Sequence, residues 1–133
     1  LRTLEDNIKR RLEITRKYNE VFTTLSHFVC PPIALDFKPN GSYYPIRIKS
    51  DAPFTRTKLS NYLLTRGIET RPYFSPLAIK SNKSEQLNLN VSFPNAKIAE
   101  AGILCLPLHS NLSNDEVNQV INSVKRAHDE FSS

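Results

Sequence analysis

The segment from Arg66 to Leu77 constrains the fold more than any other part of the chain. A helical pattern runs into Gly67, and glycine commonly ends helices because it adopts positive φ without a steric penalty. The residues after it include β-branched and aromatic side chains that suit a short strand: Ile68, Thr70, Tyr73 and Phe74. Pro72 and Pro76 then favour an extended, rigid path. The segment predicts a helix, a tight stop, a strand and a stiff aromatic loop.

Polar residues of this segment suggest a wall for a polar ligand. Glu69 and Arg71 are two residues apart, so on a strand they face the same side. Arginine suits bidentate recognition of phosphate or carboxylate. A candidate anion-binding cluster lies around the loop: Arg66, Arg71, Tyr73 and Lys80. In the alternative interpretation, Arg71 pairs with Glu69, and Tyr73 or Phe74 is a core or interface residue.

Hydrophobic periodicity predicts the remaining elements. Helices are expected at residues 3–25, 55–66, 96–102 and 114–131, and strands at 33–37, 43–50, 68–74 and 103–108. The first helix carries an apolar stripe of Leu4, Ile8, Leu12, Tyr18, Phe22 and Leu25. Residues 78–90 are polar and aperiodic, so a surface loop is expected there.

Turn and capping residues connect these elements. Asn40-Gly41 favours a hairpin between the strands at 33–37 and 43–50, and Pro45 favours an edge position or a late start for the second. Helix starts are expected at a partial capping box at Thr3, at Asn95, and at a full capping box at Ser113. Antiparallel strands with helices on one face predict an α+β two-layer sandwich, a single domain with its end helices side by side.

No self-contained catalytic site is visible in the sequence. The three histidines (His27, His109, His128) lack the spacing of a helical metal pair, so no metal site is predicted. His27 and His128 are interpreted as structural, since a cation suits a helix C-terminus. His109 follows a strand end, where loops often carry ligands, and is therefore a candidate binding residue. The chain has neither a glycine-rich phosphate loop nor a Gly-x-Ser-x-Gly elbow.

Cysteine content suggests a cytoplasmic protein, and the net charge bears on its possible partners. The net charge of +5 permits contact with nucleic acid, anionic lipid or phosphorylated small molecules. Cys30 and Cys105 lie in apolar surroundings, and we expect buried free thiols in a reducing compartment. No apolar run reaches the length of a membrane span. The chain begins at Leu1 and contains no methionine, so we expect a piece of a longer protein.

Several segments, in this order, resemble the small C-terminal domain of the DegT/DnrJ/StrS family of sugar aminotransferases. They are Gly67 to Phe74 with Pro76-Leu77, the Phe93-Pro94-Asn95-Ala96 spacer, and the strand Ile103 to Leu108 with the linker and helix after it. The first helix, with Arg10-Arg11 and Tyr18-Asn19, the strand from Tyr43 to Ile48, and Arg56, Leu59 and Leu63 fit as well. The resemblance covers nearly the whole chain.

The resemblance implies a fold-type-I aminotransferase that uses pyridoxal phosphate to aminate a nucleotide-linked keto sugar. Such enzymes serve the biosynthesis of surface polysaccharides or deoxyamino sugars. In the family, the lysine that carries the cofactor lies on a larger N-terminal domain, which this chain lacks. The chain is therefore expected to bind no cofactor and to carry no catalytic residue. Its implied role is to close the site and contact the sugar nucleotide, within a homodimer, through Arg71, Tyr73, Phe74, Lys80 and His109.

One position departs from the family pattern: Ala78 stands where the family loop usually has histidine after proline-leucine. This removes a hydrogen-bonding group and implies altered substrate contacts or reduced activity. Two other hypotheses stay open. One is a basic module that binds nucleic acid, which is disfavoured because aromatics do not interleave with Lys and Arg across two strands. The other is a domain that serves only dimerisation.

Overall fold

The computed structural model describes residues 3–32, 39–77 and 93–133. Within them the elements are, in chain order, α1 (Leu4–Phe22), β1 (Phe28–Val29), β2 (Tyr44–Ile48), α2 (Arg56–Leu64), α3 (Pro94–Gly102), β3 (Ile103–Leu106) and α4 (Asn114–Ser132). The predicted strand at 33–37 and the predicted surface loop at 78–90 lie outside the described residues.

The sheet is antiparallel and three-stranded in the order β1-β2-β3. β2 alternates as predicted, with Tyr44, Ile46 and Ile48 buried. The sequence missed β1, because two residues are too few to show alternation. Pro45 lies in the central strand of the sheet, so the predicted edge position was wrong. β1 pairs only with Arg47 and Ile48, so Pro45 lies beyond its end and interrupts no described pairing.

The strand predicted after Gly67 is reduced to a single bridge. Arg71 pairs with Cys105 of β3 in antiparallel fashion, and no named strand forms around it in the described part of the chain. The prolines at 72 and 76 account for this, because a proline nitrogen cannot donate to a ladder. The segment therefore borders the free edge of β3 at one point and leaves it immediately.

The buried side of the sheet packs against three helices. The core joins Tyr44, Ile46 and Ile48 to apolar residues of α1, α2 and α4, including Ile14, Tyr18, Phe22, Leu59, Leu63, Val117 and Val124. Tyr18 and Tyr44 meet edge to face with ring centroids 4.9 Å apart. The Tyr44 hydroxyl donates to Asn19 Oδ1 at 2.6 Å, which satisfies two buried polar groups. The predicted α+β two-layer sandwich is confirmed.

Helix α1 is shorter than the sequence pattern indicates, and it buries a different set of residues. It begins at a full capping box, with Thr3 Oγ1 accepting from Asp6 N–H and Asp6 Oδ2 accepting from Thr3 N–H, each at 3.2 Å. Its buried positions include Ile14, Tyr18 and Phe22, whereas Leu4 is 71% exposed. Ile8 and Leu12 are only half-buried. The predicted stripe was therefore wrong at Leu4, and Ile8 and Leu12 belong to it only in part.

The two end helices lie side by side, as predicted. Arg10 of α1 donates to the Leu112 carbonyl at 2.9 Å and to Asn114 Oδ1 at 3.0 Å. Lys17 Nζ donates to the same Asn114 oxygen at 3.1 Å. The start of α4, with its predicted capping box at Ser113, is thus fixed against α1.

Helix α3 begins one residue before the predicted cap. Phe93 is its N-cap and Pro94 its first residue, so Asn95 does not cap it. At the other end, Gly102 packs against the Ile48 carbonyl of β2 so closely that a Cβ there would overlap it. This approach fixes the angle at which the chain enters β3.

The structural interpretation of two histidines is supported by their packing. The His27 and His128 rings lie 5.4 Å apart, beside Phe54. His128 is buried, and its Nδ1 lies 3.2 Å from Asp129 Oδ1.

Both cysteines are free thiols; Cys105 is buried, whereas Cys30 is only half-buried. No described helix combines the length and the hydropathy that a membrane span requires.

Candidate functional site

A groove of about 560 Å³ opens where the ends of several elements meet. It lies between the segment after α2, the start of β2, the end of β3 and the first turns of α4. Its polar and aromatic lining residues are Ser42, Tyr43, Glu69, Arg71, Tyr73, His109, Glu116 and Gln119. Its apolar floor includes Ile68, Cys105, Leu106, Leu112 and Val120. The groove thus gathers residues from four separate parts of the sequence.

Gly67 creates one side of the groove. Its φ is +73°, and it ends α2 with Gly67 N–H donating to the Leu64 carbonyl at 2.9 Å. Ile68 N–H donates to the Leu63 carbonyl at 3.0 Å, which closes the last turn. The chain then reverses, so the buried Ile68 side chain anchors the segment while Glu69 and Arg71 reach the surface.

Arg71 is held by its main chain and leaves its side chain accessible. Its N–H donates to the Cys105 carbonyl at 3.1 Å, and its carbonyl accepts from Cys105 N–H at 2.7 Å. Its guanidinium donates to Glu69 Oε2 at 3.3 Å, with the two side chains 62% and 75% exposed. The alternative interpretation, in which Arg71 pairs with Glu69, is confirmed for this chain. Such an exposed pair contributes only about 0–1 kcal/mol, so a ligand could replace Glu69 at little cost.

Tyr73 and Phe74 form an aromatic group with Tyr43. The Tyr73 and Phe74 rings are stacked at 5.1 Å and 19°, and Tyr43 stands at 81° to both. Tyr43 and Tyr73 line the groove, whereas Phe74 lies at its rim and is 70% exposed. Tyr73 N–H donates to the Cys105 thiol, whose pKa is raised by burial and lowered in part by this hydrogen bond. Phe74 is therefore a surface residue rather than a core residue.

His109 lies on the opposite wall, just after β3. It is exposed, and its electrostatic influence makes a small contribution to the lowered pKa of Glu116. The larger causes of that lowering are the hydrogen bonds from Ser113, whose N–H donates to Glu116 Oε2 at 2.8 Å. Glu116 is thus an ionised acceptor fixed in a capping box, with its position set by the start of α4.

The basic cluster expected around the loop is not assembled in the part of the chain that the structure describes. Arg66 lies over the Tyr62 ring at 3.5 Å and donates to the Tyr62 carbonyl, away from the groove lining. Lys80 and Ala78 fall outside the described residues. The groove carries Glu69 and Glu116 against Arg71, with His109 beside them. It is therefore a mixed polar groove and not a cationic wall.

Sequence reasoning missed three groove residues. Tyr43 could have been found, because the alternation that buries Tyr44 places its neighbour on the other side. Glu116 was recognised only as a helix cap. Gln119 lies three residues further along α4, on the same side of the helix as Glu116. Its Nε2 donates to the Arg66 carbonyl at 3.2 Å, which links α4 to the end of α2.

The described groove does not fit a covalently held pyridoxal phosphate, because no lysine lines it. Three of the described lysines are engaged elsewhere: Lys17 on Asn114, Lys49 on the Ser26 carbonyl and Lys58 over the Phe131 ring. Within the described ranges, no group of His, Cys, Asp and Glu residues could hold a metal ion. These residues can bind and orient a polar ligand.

The fold is that of one part of an aminotransferase. The aminotransferase TlmJ from Streptoalloteichus hindustanus superposes with a TM-score of 0.84 and 27% identity, over 98% of this chain and 34% of that one. The sequence matches the DegT/DnrJ/EryC1/StrS aminotransferase family over residues 1–125. The chain belongs to this family of pyridoxal-phosphate-dependent aminotransferases.

Curated relatives carry sugar transaminase names. The chain is 36% identical over 90 residues to dTDP-4-amino-4,6-dideoxy-D-glucose transaminase of Shigella dysenteriae, covering 65% of this chain and 23% of that protein. It is 30% identical over 128 residues to dTDP-4-dehydro-2,3,6-trideoxy-D-glucose 4-aminotransferase of Saccharopolyspora spinosa, covering 96% and 31%. The matched part of the chain therefore spans only 23% and 31% of the length of these two relatives.

Proposed function

We propose that this chain is the C-terminal small domain of a pyridoxal-phosphate-dependent aminotransferase that acts on a nucleotide-linked keto sugar. The observation that carries the proposal is the groove, which joins Arg71, Tyr73 and His109 in a chain of this family. The short span relative to the sugar transaminases supports a single domain of a larger protein. The remaining part of that protein would carry the cofactor.

The groove chemistry suits a sugar better than a free anion. Glu69 and Glu116 offer carboxylate acceptors, while Arg71, Gln119 and His109 offer donors. A hexose presents hydroxyl groups that donate and accept, so it can satisfy both kinds of partner. Arg71 would contact a phosphate or sugar oxygen by exchanging its Glu69 partner. Lys80 stays a candidate contact that lies beyond the described residues.

The cofactor would serve as the electron sink for amino transfer when bound to the missing part of the protein. The residues of this chain would bind and orient the sugar nucleotide and exclude water from one side of the site. Exposed apolar groups such as Phe74 are consistent with a surface that faces substrate or another part of the protein. We propose a homodimer in the cytoplasm.

The proposal is tested by nucleotide-sugar binding to the full-length protein. Arg71→Ala should weaken binding of a dTDP-linked sugar about tenfold or more, since a charge-assisted hydrogen bond contributes about 1.5–3 kcal/mol. Arg126→Ala, an exposed arginine on α4 outside the groove, is the matched control and should bind as the wild type does. Equal affinity of wild type and Arg71→Ala would remove Arg71 from the site.

A second experiment tests whether the cofactor is held by another part of the protein and not by this chain. Residues 1–133 are mixed with pyridoxal phosphate and treated with borohydride, then each lysine is examined by peptide mass spectrometry. We expect scattered, substoichiometric labelling, because no lysine lines the described groove. Stoichiometric labelling of one lysine would show that this chain holds the cofactor itself.

A further inference from the structure

Three aromatic side chains form a right-angled corner at the rim of the groove, and we call Tyr43, Tyr73 and Phe74 the aromatic corner. The Tyr73 and Phe74 rings make one wall, stacked with an interplanar angle of 19°. Tyr43 makes the other wall at 81°, with its ring centroid 5.4 Å from Tyr73 and 6.2 Å from Phe74. A flat ligand can stack on one wall while its edge meets the face of the other.

Contacts with the sheet and with α3 hold the two walls of the aromatic corner in place. Tyr44 is buried and bonded to Asn19, so Tyr43 projects to the other side of the chain, where it is 54% exposed. Arg71 is joined to Cys105 by two main-chain hydrogen bonds, and Tyr73 N–H donates to the Cys105 thiol. Ser75 Oγ and Leu77 N–H donate to Glu100 Oε1 at 3.4 and 3.1 Å, which ties the loop to α3. Both walls are therefore anchored to the sheet or its helices.

The corner and the groove are continuous but chemically different. Tyr43 and Tyr73 line both, whereas the charged residues lie further along the groove towards α4. The corner offers ring faces and two phenol hydroxyls that have no hydrogen-bond partner among the described residues. Such a surface suits a planar heteroaromatic ring, and the charged part suits a hydroxyl-rich ring.

We propose that the aromatic corner binds the nucleobase of the sugar nucleotide, with Tyr43 as a residue that contacts the base. This inference rests on the proposed function, because it assigns one end of the same ligand. The stacked wall would face the base, and Tyr43 would close against its edge. The sugar would then extend along the groove towards Glu116 and Gln119. Stacking on protein aromatics tolerates different bases, so both thymine and uracil nucleotides should bind.

The experiment compares ligands with and without a base on the full-length protein. Isothermal titration is carried out with dTDP, UDP and glucose 1-phosphate, against wild type, Tyr43→Ala and Tyr43→Phe. Tyr43→Ala should lose at least about fivefold in affinity for dTDP and UDP, as stacking contributes about 1–3 kcal/mol per base. Affinity for glucose 1-phosphate should change less than twofold, and Tyr43→Phe should retain most of the base affinity. Phe93→Ala, an aromatic 40% exposed outside the groove, is the matched control.

Saturation-transfer NMR gives a direct reading of the contact. In the wild type, the base protons of dTDP should be saturated more strongly than its deoxyribose protons, and Tyr43→Ala should reverse the order. If wild type binds dTDP-sugar and Tyr43→Ala binds dTDP equally well, the inference is wrong and the proposed function stands. If wild type binds no nucleotide sugar, the proposed function is wrong, and the inference that rests on it is wrong as well. A Tyr43→Ala variant with a lower melting temperature and equal losses for all three ligands assigns the corner to packing and overturns the inference.

Discussion

Arg71 and Cys105 exchange two main-chain hydrogen bonds, of 3.1 and 2.7 Å, although their side chains serve different parts of the molecule. The Cys105 side chain is buried under the groove, and the Arg71 side chain is exposed above it. Arg71→Pro should therefore destabilise the protein by about 1–3 kcal/mol, because the Cys105 carbonyl loses its donor. Arg71→Ala keeps both hydrogen bonds and should stay within about 0.5 kcal/mol of wild type. Urea unfolding measures both variants, and equal stability of the two would contradict the role of the bridge.

Two neighbouring tyrosines should respond differently to loss of their hydroxyl groups. Tyr44→Phe removes the donor to Asn19 Oδ1 in the core and should cost about 1–2 kcal/mol, since a buried acceptor is left unsatisfied. Tyr43→Phe removes a hydroxyl at an exposed position and should leave stability unchanged. The shift in urea midpoint of each variant from the wild type measures these two effects. A larger loss for Tyr43→Phe would contradict the assigned directions of the two side chains.

Two glycines are required for different reasons, and alanine substitutions should separate them. At Gly67 a Cβ meets nothing within 4 Å, so Gly67→Ala costs only the positive-φ penalty of about 1–2 kcal/mol. At Gly102 a Cβ overlaps the Ile48 carbonyl of β2, so Gly102→Ala must displace backbone and should cost more. Thermal unfolding should therefore rank wild type above Gly67→Ala and Gly67→Ala above Gly102→Ala. The reverse order of the two variants would show that moving α3 away from β2 costs less than placing alanine at positive φ after α2.

Acid should weaken the start of α4 through Glu116. Hydrogen bonds from Ser113 lower the pKa of Glu116 in the folded protein below its ordinary value of 4.5. Its contribution to stability is therefore present above that value and is lost as pH falls through the folded pKa. Glu116→Gln cannot ionise, so its stability should fall less between about pH 5 and pH 3 than that of the wild type. Urea midpoints across this range provide the measurement, and parallel pH curves would contradict the prediction.

Local signals were enough for much of the fold. The capping boxes at Thr3 and Ser113, the stop at Gly67 and the alternation of Tyr44, Ile46 and Ile48 each act within a few residues, so the sequence shows them. β1 and the buried side of α1 depend on which elements lie above them. Leu4 has an apolar side chain, yet no described element covers most of it, so its periodicity misled the prediction.

The candidate site was only partly predictable for the same reason. Arg71 and Tyr73 lie in one short segment whose composition draws attention to them. Tyr43, Glu116 and Gln119 join them only because β2, β3 and α4 bring distant segments together. Arg66 was grouped with them by proximity in sequence, but the aromatic face of Tyr62 competes for its guanidinium.

The contacts of Arg10 with Leu112 and Asn114 span 102 and 104 positions of the chain. During synthesis, α1 leaves the ribosome long before α4 exists. Tyr18 and Phe22 of α1 can pack on Tyr44 of β2 early, but the contacts of α1 with α4 form only much later. Contacts of this range slow folding because a long loop has to close first. Nascent chains stalled before residue 114 should consequently remain protease-sensitive throughout, and protection should arise in a single step once α4 has emerged.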